Sequence, residues 1–76
     1  MQKSTPTSIP DLIARWPTIA QFSVDVGCGY EAARQMRRRG SIAPEHWYRV
    51  VSACKKRDIQ GVSFEWLASQ RSEMAA

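Results

Sequence analysis

The chain has 76 residues, of which 11 are lysine or arginine and 7 are aspartate or glutamate, giving a formal net charge of +4. This length allows one small domain, and a hydrophobic share of 43% with 24% charged residues is typical of a folded soluble protein rather than a disordered one. No stretch approaches the roughly 20 apolar residues of a membrane span, and no apolar segment follows Met1 as in a secretory leader, so we expect a cytoplasmic protein.

The two cysteines and the single histidine do not form a metal-binding pattern. Cys28 and Cys54 make no CxxC pair, and His46 does not complete a zinc site with them at any usual spacing. The sequence also lacks a nucleophile–base pair, a glycine-rich phosphate loop and a carboxylate cluster. A disulfide between the two cysteines stays open, but both lie on apolar faces, so we expect buried free thiols. We also expect no metal, no cofactor, no small-molecule ligand and no enzymatic activity.

The first helix is predicted from Ser8, Pro10 and Asp11, which are typical of a helix start. A serine hydroxyl caps exposed amides, proline fits the first turn, and a carboxylate favours the positive end of the helix dipole. Apolar residues then recur at helical spacing, at Ile9, Leu12, Ile13 and Trp16. Pro17 ends this helix, because the residue before a proline disfavours the helical conformation.

The second helix is predicted to begin directly after Pro17, with Thr18 and Gln21 forming a capping box. Its apolar side consists of Ile19, Phe22 and Val26. Gly27 suits the left-handed position that ends a helix, and only a tight turn fits between it and the next element. A third helix from Tyr30 to Arg39 follows, made almost wholly of strong helix formers.

Two more helices are predicted after Gly40. Pro44 opens the fourth helix, whose apolar stripe consists of Trp47, Val50, Val51 and Cys54. Ser63 caps a last short helix running to about Gln70, which is expected to pack two side chains on the bundle, Phe64 and Leu67. The fold class is therefore an all-α bundle of about five short helices over residues 8–70. Residues 1–7 are predicted to be a flexible arm and residues 71–76 a flexible tail.

The second and third helices are joined by Val26-Gly27-Cys28-Gly29 and form a helix-turn-helix pattern. Such a corner needs a small residue where the helices cross, a glycine in the turn and buried apolar residues at fixed offsets. Ser23, four residues before Gly27, is the small residue. The inward offsets are occupied by Phe22, Val26, Cys28, Ala33 and Met36.

These residues resemble the lambda-repressor-like family of helix-turn-helix DNA-binding domains, particularly the small phage-type Cro-like regulators. The resemblance covers roughly residues 9–70, and its specific part runs from Thr18 to Pro44, including the basic, glycine, isoleucine, proline segment that links the third helix to the fourth. Two positions depart from the family pattern: Ser23 replaces the usual alanine, and Gly29 replaces the usual capping serine or threonine.

The resemblance implies that the third helix lies in the DNA major groove, with base contacts from Gly29, Tyr30, Glu31, Arg34 and Gln35. The chemistry is suitable, because Arg34 can donate two bonds to guanine, Gln35 can pair with adenine and Glu31 can accept from cytosine. Tyr30 could contact a thymine methyl group or a phosphate. Phosphate contacts are expected from the start of the second helix and the basic end of the third: Thr18, Gln21, Arg37, Arg38, Arg39 and Ser41.

The position of the charges favours the same surface. From Arg34 to Arg57 there are eight basic residues against Glu45 alone, which is the pattern expected for phosphate binding. Residues 37–39 and 55–57 also end helices, where cations are favoured by the dipole, so a purely solvated role for them stays open. The tryptophans are expected in the core, with Trp66 a candidate for a dimer contact.

The sequence thus predicts a sequence-specific regulator of transcription that binds double-stranded DNA, of phage or mobile-element type and associated with the nucleoid when bound. We expect a homodimer on paired half-sites and repression by covering a promoter, with activation requiring contact with RNA polymerase. Two alternatives stay open. One is a protein-interaction module such as an antitoxin or adaptor, and the other is a DNA-bending accessory protein of recombination.

Overall fold

The computed structural model describes the backbone of residues 5–75 and the side chains as far as Arg71; residues 1–4 of the predicted arm and residue 76 of the predicted tail lie outside this range. Its elements in chain order are α1 (Ile9–Ile13), α2 (Ile19–Val26), α3 (Tyr30–Arg39), a 3₁₀ turn (Pro44–His46), α4 (Trp47–Lys56) and α5 (Phe64–Ala75). The described residues include no strand, and the predicted all-α fold is confirmed. Helix α3 packs against α1 and α2, and α4 packs against α2 and α5.

The predicted helix starts are supported by side-chain caps. The Ser8 hydroxyl accepts a hydrogen bond from the Asp11 amide at 3.2 Å, and the Thr18 hydroxyl accepts one from the Gln21 amide at 3.1 Å. The Ser63 hydroxyl caps α5 in the same way, accepting from the Trp66 amide at 3.1 Å. Each cap satisfies an amide that the first helical turn leaves without a backbone partner.

The predicted helix ends at Gly27 and Gly40 also occur where expected. Both glycines have a left-handed backbone conformation, with φ of 76° and 72°. Glycine adopts this conformation without the steric cost of a side chain. The amide of Gly27 donates to the Ser23 carbonyl at 2.9 Å, and the amide of Gly40 donates to the Met36 carbonyl at 2.9 Å. These bonds close the last turns of α2 and α3.

Three predicted boundaries are corrected by the structure. Helix α1 ends at Ile13, because the residues before Pro17 tighten into turns with i to i+3 bonds. The fourth element begins as a 3₁₀ turn at Pro44 and becomes α-helical at Trp47. The last helix continues to Ala75 rather than ending near Gln70, since four of residues 71–75 are strong helix formers and none is glycine or proline. Even so, no described helix is both long and apolar enough to cross a membrane.

The core is built from the apolar stripes of all five helices and the link between α3 and the 3₁₀ turn. Its buried members are Ile9, Leu12, Ile13, Trp16, Phe22, Val26, Ala33, Met36, Ile42, Val50, Ala53, Cys54 and Leu67. Phe64 packs on the bundle only at its surface: the residue is 53% exposed, and its ring centre lies 6.3 Å from that of Trp47, which packs against the core. Leu67, together with the partly buried Trp66, therefore attaches α5 to the core.

Residues 5–7 of the predicted arm contact the folded body. Pro6 is buried, and the Thr5 side chain lies so close to Gly61 that a side chain at residue 61 would collide with it. The amide of Thr7 donates to the Asp11 carboxylate at 2.9 Å. The start of the domain therefore lies a few residues before the predicted boundary at Ser8.

Candidate nucleic-acid interface

The corner between α2 and α3 is held by backbone bonds and by a buried serine. The amides of Gly27 and Cys28 both donate to the Ser23 carbonyl, at 2.9 and 3.0 Å. Ser23 is buried as predicted, and its hydroxyl donates to the Ala20 carbonyl at 2.7 Å, so the polar group that replaces the usual alanine is satisfied. The two helices can therefore approach closely at this point.

Gly27 also contacts Arg49 of α4. The Arg49 guanidinium donates to the Gly27 carbonyl at 3.4 Å and occupies the space where a side chain at residue 27 would lie. The corner is thus braced from α4 as well as from α2. This contact joins residues 22 positions apart in sequence, so spacing alone does not indicate it.

Helix α3 presents most of the predicted base-reading residues outward. Its buried side is formed by Ala33 and Met36. Glu31 and Gln35 are exposed, Tyr30 is half-exposed and Arg34 is partly exposed, so none of these side chains is enclosed by the domain's own interior. A helix with one short apolar stripe and a wide polar face has the form needed for insertion into the major groove.

Two of the predicted base-reading residues are paired with each other. Arg34 Nη1 lies 3.3 Å from Glu31 Oε2, one helical turn away, with side-chain exposures of 41% and 76%. An exposed pair of this kind contributes at most about 1 kcal/mol, and the guanidinium keeps further donors for other partners. The pair therefore orients Arg34 without preventing it from contacting a base.

Gly29 lies at the start of α3 in open surroundings. Its backbone is extended, with φ of −72°, and a Cβ placed there would meet no atom within 4 Å. The first amides of α3 receive no side-chain cap, because the glycine at the N-cap position has no side chain to accept a hydrogen bond. Close approach of another molecule is possible at this position because no side chain projects from it.

A groove, here called the Thr18 groove, is formed by α1, the start of α2 and Arg37 on one side of α3. Its lining consists of Pro10, Ile13, Ala14, Trp16, Pro17, Thr18, Ile19 and Arg37. Both Thr18 and Arg37 are exposed and were predicted to contact phosphate. Gln21 is placed differently: its side-chain amide donates to the Asp25 carboxylate at 3.0 Å. The structure therefore brings Thr18 and Arg37 together and engages Gln21 within α2.

The opposite side of α3 borders a second groove, here called the Arg71 groove. Its polar lining consists of Gln35, Arg39, Ser41, His46 and Arg71. The first three were predicted to contact DNA, whereas the last two were not. Arg38 is exposed on α3, one residue from the arginines of both grooves. The predicted phosphate-contacting arginines thus lie on and beside the outward face of α3.

Arg57, which the sequence pattern groups with the basic residues, is engaged in a structural cluster instead. Its Nε donates to the Asp25 carboxylate at 2.8 Å, and its guanidinium lies 5.4 Å from the centre of the Trp16 ring. Trp16 Nε1 donates to the same carboxylate at 2.8 Å. The Trp16 indole, followed by Arg57 and Gln21, lowers the pKa of Asp25 to about 2.

The cysteines are free thiols, as expected, with Cys54 buried and Cys28 half-buried. Burial raises the pKa of the Cys28 thiol and raises that of Cys54 to about 11, which favours the protonated form over the reactive thiolate. Within the residues described, no three histidine, cysteine, aspartate or glutamate side chains are grouped in a way that could hold a metal ion.

Comparisons with family models, with curated proteins and with solved structures gave no significant match. The resemblance to lambda-repressor-like domains therefore stays a prediction, based on the residues of the corner and their arrangement. What the structure defines is a small all-α domain with a helix-turn-helix corner and an arginine-rich outer helix.

Proposed function

We propose that the protein binds double-stranded DNA in a sequence-specific manner, with α3 in the major groove. One observation carries the proposal: the outward face of α3 is flanked by the Thr18 and Arg71 grooves, each lined by an arginine of α3 and a nearby hydroxyl group. The major groove is about 12 Å wide and is bordered by the phosphates of both strands. An inserted helix needs base-reading groups in the middle and phosphate-binding groups on both sides.

Sequence readout is assigned to the middle of α3. Arg34 can form two hydrogen bonds with guanine and Gln35 can pair with adenine, and each such contact contributes roughly 1–3 kcal/mol of discrimination. Glu31 either accepts a bond from cytosine or holds Arg34 in place through the 3.3 Å ion pair. Gly29 and the half-exposed Tyr30 lie at the end of α3 that approaches the base edges.

Binding strength is assigned to the two sides of α3. Thr18, the amide groups at the start of α2 and Arg37 would hold a phosphate of one strand, and Arg39 with Ser41 would hold a phosphate of the other. Arg38 would add charge between them. Affinity that depends on such contacts falls steeply with salt, because binding releases the cations condensed on the DNA.

A homodimer would follow from the small size of one domain's interface with DNA. Two copies would place their α3 helices at half-sites about 34–36 Å apart, one helical turn of the duplex. In this proposal the protein acts in the cytoplasm at the nucleoid as a phage-type or mobile-element repressor that covers a promoter. Activation would require an additional contact with RNA polymerase.

Selection from a pool of random duplexes, followed by footprinting of the enriched sequence, tests this proposal. We expect enrichment of one short motif, with symmetric protection if the protein is a dimer. Arg34→Ala should bind less tightly and lose preference at one position of the motif, whereas Lys56→Ala, which removes an equal charge from α4, should keep the motif. An unenriched pool, or the same motif with both variants, would contradict the assignment of α3.

A second candidate, a protein-interaction module such as an antitoxin or adaptor, is favoured by a groove on the α4 side, here called the Tyr48 groove. Its lining includes Asp25, Tyr48, Arg49, Ser52 and Lys56, and its volume is about 420 Å³. Tyr48 is 73% exposed, and exposed aromatic residues are enriched at protein interfaces. Stoichiometric capture of a protein by a chain that has no affinity for duplex DNA would favour this candidate.

A further inference from the structure

The extended C-terminal helix carries a positive charge to the side of α3. The sequence predicts a helix that ends near Gln70, but α5 continues to Ala75, and the Arg71 side chain lines the same groove as Arg39. The two residues are 32 positions apart in sequence but line one groove. This is possible because α5 packs against α4, and α4 is joined to α3 by the link and the 3₁₀ turn. The Arg71 groove therefore combines cations from two separate helices.

The lining of the Arg71 groove is suited to an anion. Its polar groups are two guanidinium groups, the Ser41 hydroxyl, the His46 imidazole and the Gln35 amide. Its remaining lining residues, Ala32, Met36 and Ala43, are small or apolar, so the described lining contains no carboxylate. Two acidic residues adjoin lining residues in sequence. Glu45 is 78% exposed, and its Oε2 lies 3.6 Å from His46 Nε2, whereas Glu31 is paired with Arg34. A bound anion would thus face a net positive surface.

The class of anion is indicated by the residues that the groove shares with α3. Gln35 lies on the outward face of α3 and also lines this groove, so a molecule that contacts Gln35 from outside lies next to Arg39 and Arg71. Guanidinium groups form paired hydrogen bonds with phosphate oxygens, and arginine is the preferred residue for such recognition. A duplex read by α3 would bring its own backbone phosphates to this position.

We propose that the Arg71 groove binds a backbone phosphate of duplex DNA, so that α5 is part of the DNA interface through Arg71. This inference rests on the proposed function. Arg71 and Arg39 hold the phosphate from two sides, and His46 and Ser41 lie within the same groove to donate further hydrogen bonds. This contact through Arg71 would give α5 a role beyond attachment to the core, and it would lie outside the helix-turn-helix.

The test compares Arg71→Gln with Lys56→Gln, a control that removes the same charge from the separate Tyr48 groove, and with Arg71→Lys. Affinity for a random-sequence duplex of about two helical turns is measured by fluorescence anisotropy between about 50 mM and about 200 mM salt. Circular dichroism at each salt concentration checks that every variant keeps the helical content of the wild type.

We expect Arg71→Gln to reduce the slope of log affinity against log salt by about 0.9, the value of one phosphate contact on B-form DNA. Over this range of salt, the affinity of Arg71→Gln should therefore fall about 3-fold less than that of the wild type. Lys56→Gln should keep the wild-type slope, and Arg71→Lys should restore it.

The outcomes separate the two proposals. A wild-type chain that binds duplex while Arg71→Gln and Lys56→Gln behave alike would overturn the role of Arg71 and leave the proposed function standing. Failure of Arg71→Lys to restore the slope would also overturn the phosphate contact at residue 71, because the slope depends on the number of phosphates that the protein's cations neutralise. A wild-type chain that binds no duplex at any salt concentration would remove the proposed function, and this inference with it.

Discussion

Asp25→Asn should destabilise the domain in a pH-dependent way, because this carboxylate joins three elements. It accepts hydrogen bonds from Trp16 Nε1 and Arg57 Nε at 2.8 Å and from Gln21 Nε2 at 3.0 Å. Trp16 lies between α1 and α2, Arg57 directly follows α4, and Gln21 belongs to α2 itself. Asparagine offers one oxygen without charge, so the substitution weakens the whole cluster.

The magnitude follows from the pKa of Asp25, which falls from 3.8 to about 2. A shift of one pKa unit corresponds to about 1.4 kcal/mol. The Asp25 side chain is 25% exposed, so solvent reduces the effect, and we expect a loss of about 1–2 kcal/mol near neutral pH. For a domain of this size, each kcal/mol of lost stability lowers the Tm by roughly 4–8 °C.

The direction of the pH dependence is set by the lowered pKa of Asp25. A carboxyl group with a lower pKa in the folded state stabilises the fold above its unfolded-state pKa, and this stabilisation is lost as pH falls towards the folded-state pKa. The difference between the wild type and Asp25→Asn should therefore be full near neutral pH and shrink between about pH 4 and about pH 2. The lowered pKa of Asp11 adds an acid-dependent change to both proteins alike and cancels in the difference.

Urea unfolding followed by circular dichroism, repeated across this pH range, measures the difference directly. Glu65→Gln is the matched control, because it removes one negative charge from an exposed position in the first turn of α5. This control should cost a few tenths of a kcal/mol at most. Equal stability of Asp25→Asn and the wild type near neutral pH, or a loss that does not change with pH, would refute the role given to the cluster.

Three further predictions concern the corner and α3. Gly27→Ala should lower stability by about 1–3 kcal/mol in thermal melts, because alanine is strained at a φ of 76° and its methyl group meets Arg49; an unchanged Tm would contradict the account of the corner. Gly29→Ser should raise stability by about 0.3 kcal/mol by capping α3 in an open position, and a decrease would indicate an unseen steric conflict. Arg38→Ala should weaken DNA binding evenly across sequences and reduce the salt slope, whereas Arg34→Ala should change sequence preference; gel shifts at two salt concentrations distinguish them, and unchanged binding in both variants would reject the placement of α3.

The helices and the corner were predictable because their signals are local. Ser8, Thr18 and Ser63 each cap an amide three residues ahead, and Gly27 and Gly40 each end the helix directly before them. Such features depend on backbone geometry over a few residues, so they can be recognised from sequence spacing alone. The outward position of Glu31 and Gln35 follows in the same way from helical periodicity.

The contacts that sequence spacing did not indicate join distant residues. The Asp25–Arg57 ion pair spans 32 positions, and its formation removes Arg57 from the basic surface to which the sequence pattern assigns it. Phe64 is 53% exposed beside Trp47 whereas Leu67 is buried, although helical spacing puts both on one side of α5, so only the packing of the helix distinguishes them. Arg71 could be placed near Arg39 only once the full length of α5 and its packing on α4 were known.

Chemical-shift mapping of the labelled protein with a duplex selected from a random pool tests the central claim most directly. The claim predicts that the largest amide shifts occur in α3 from Tyr30 to Arg39 and at Thr18 and Ser41 beside it. Shifts confined to the Tyr48 groove of α4, or a spectrum unchanged by excess duplex, would contradict it.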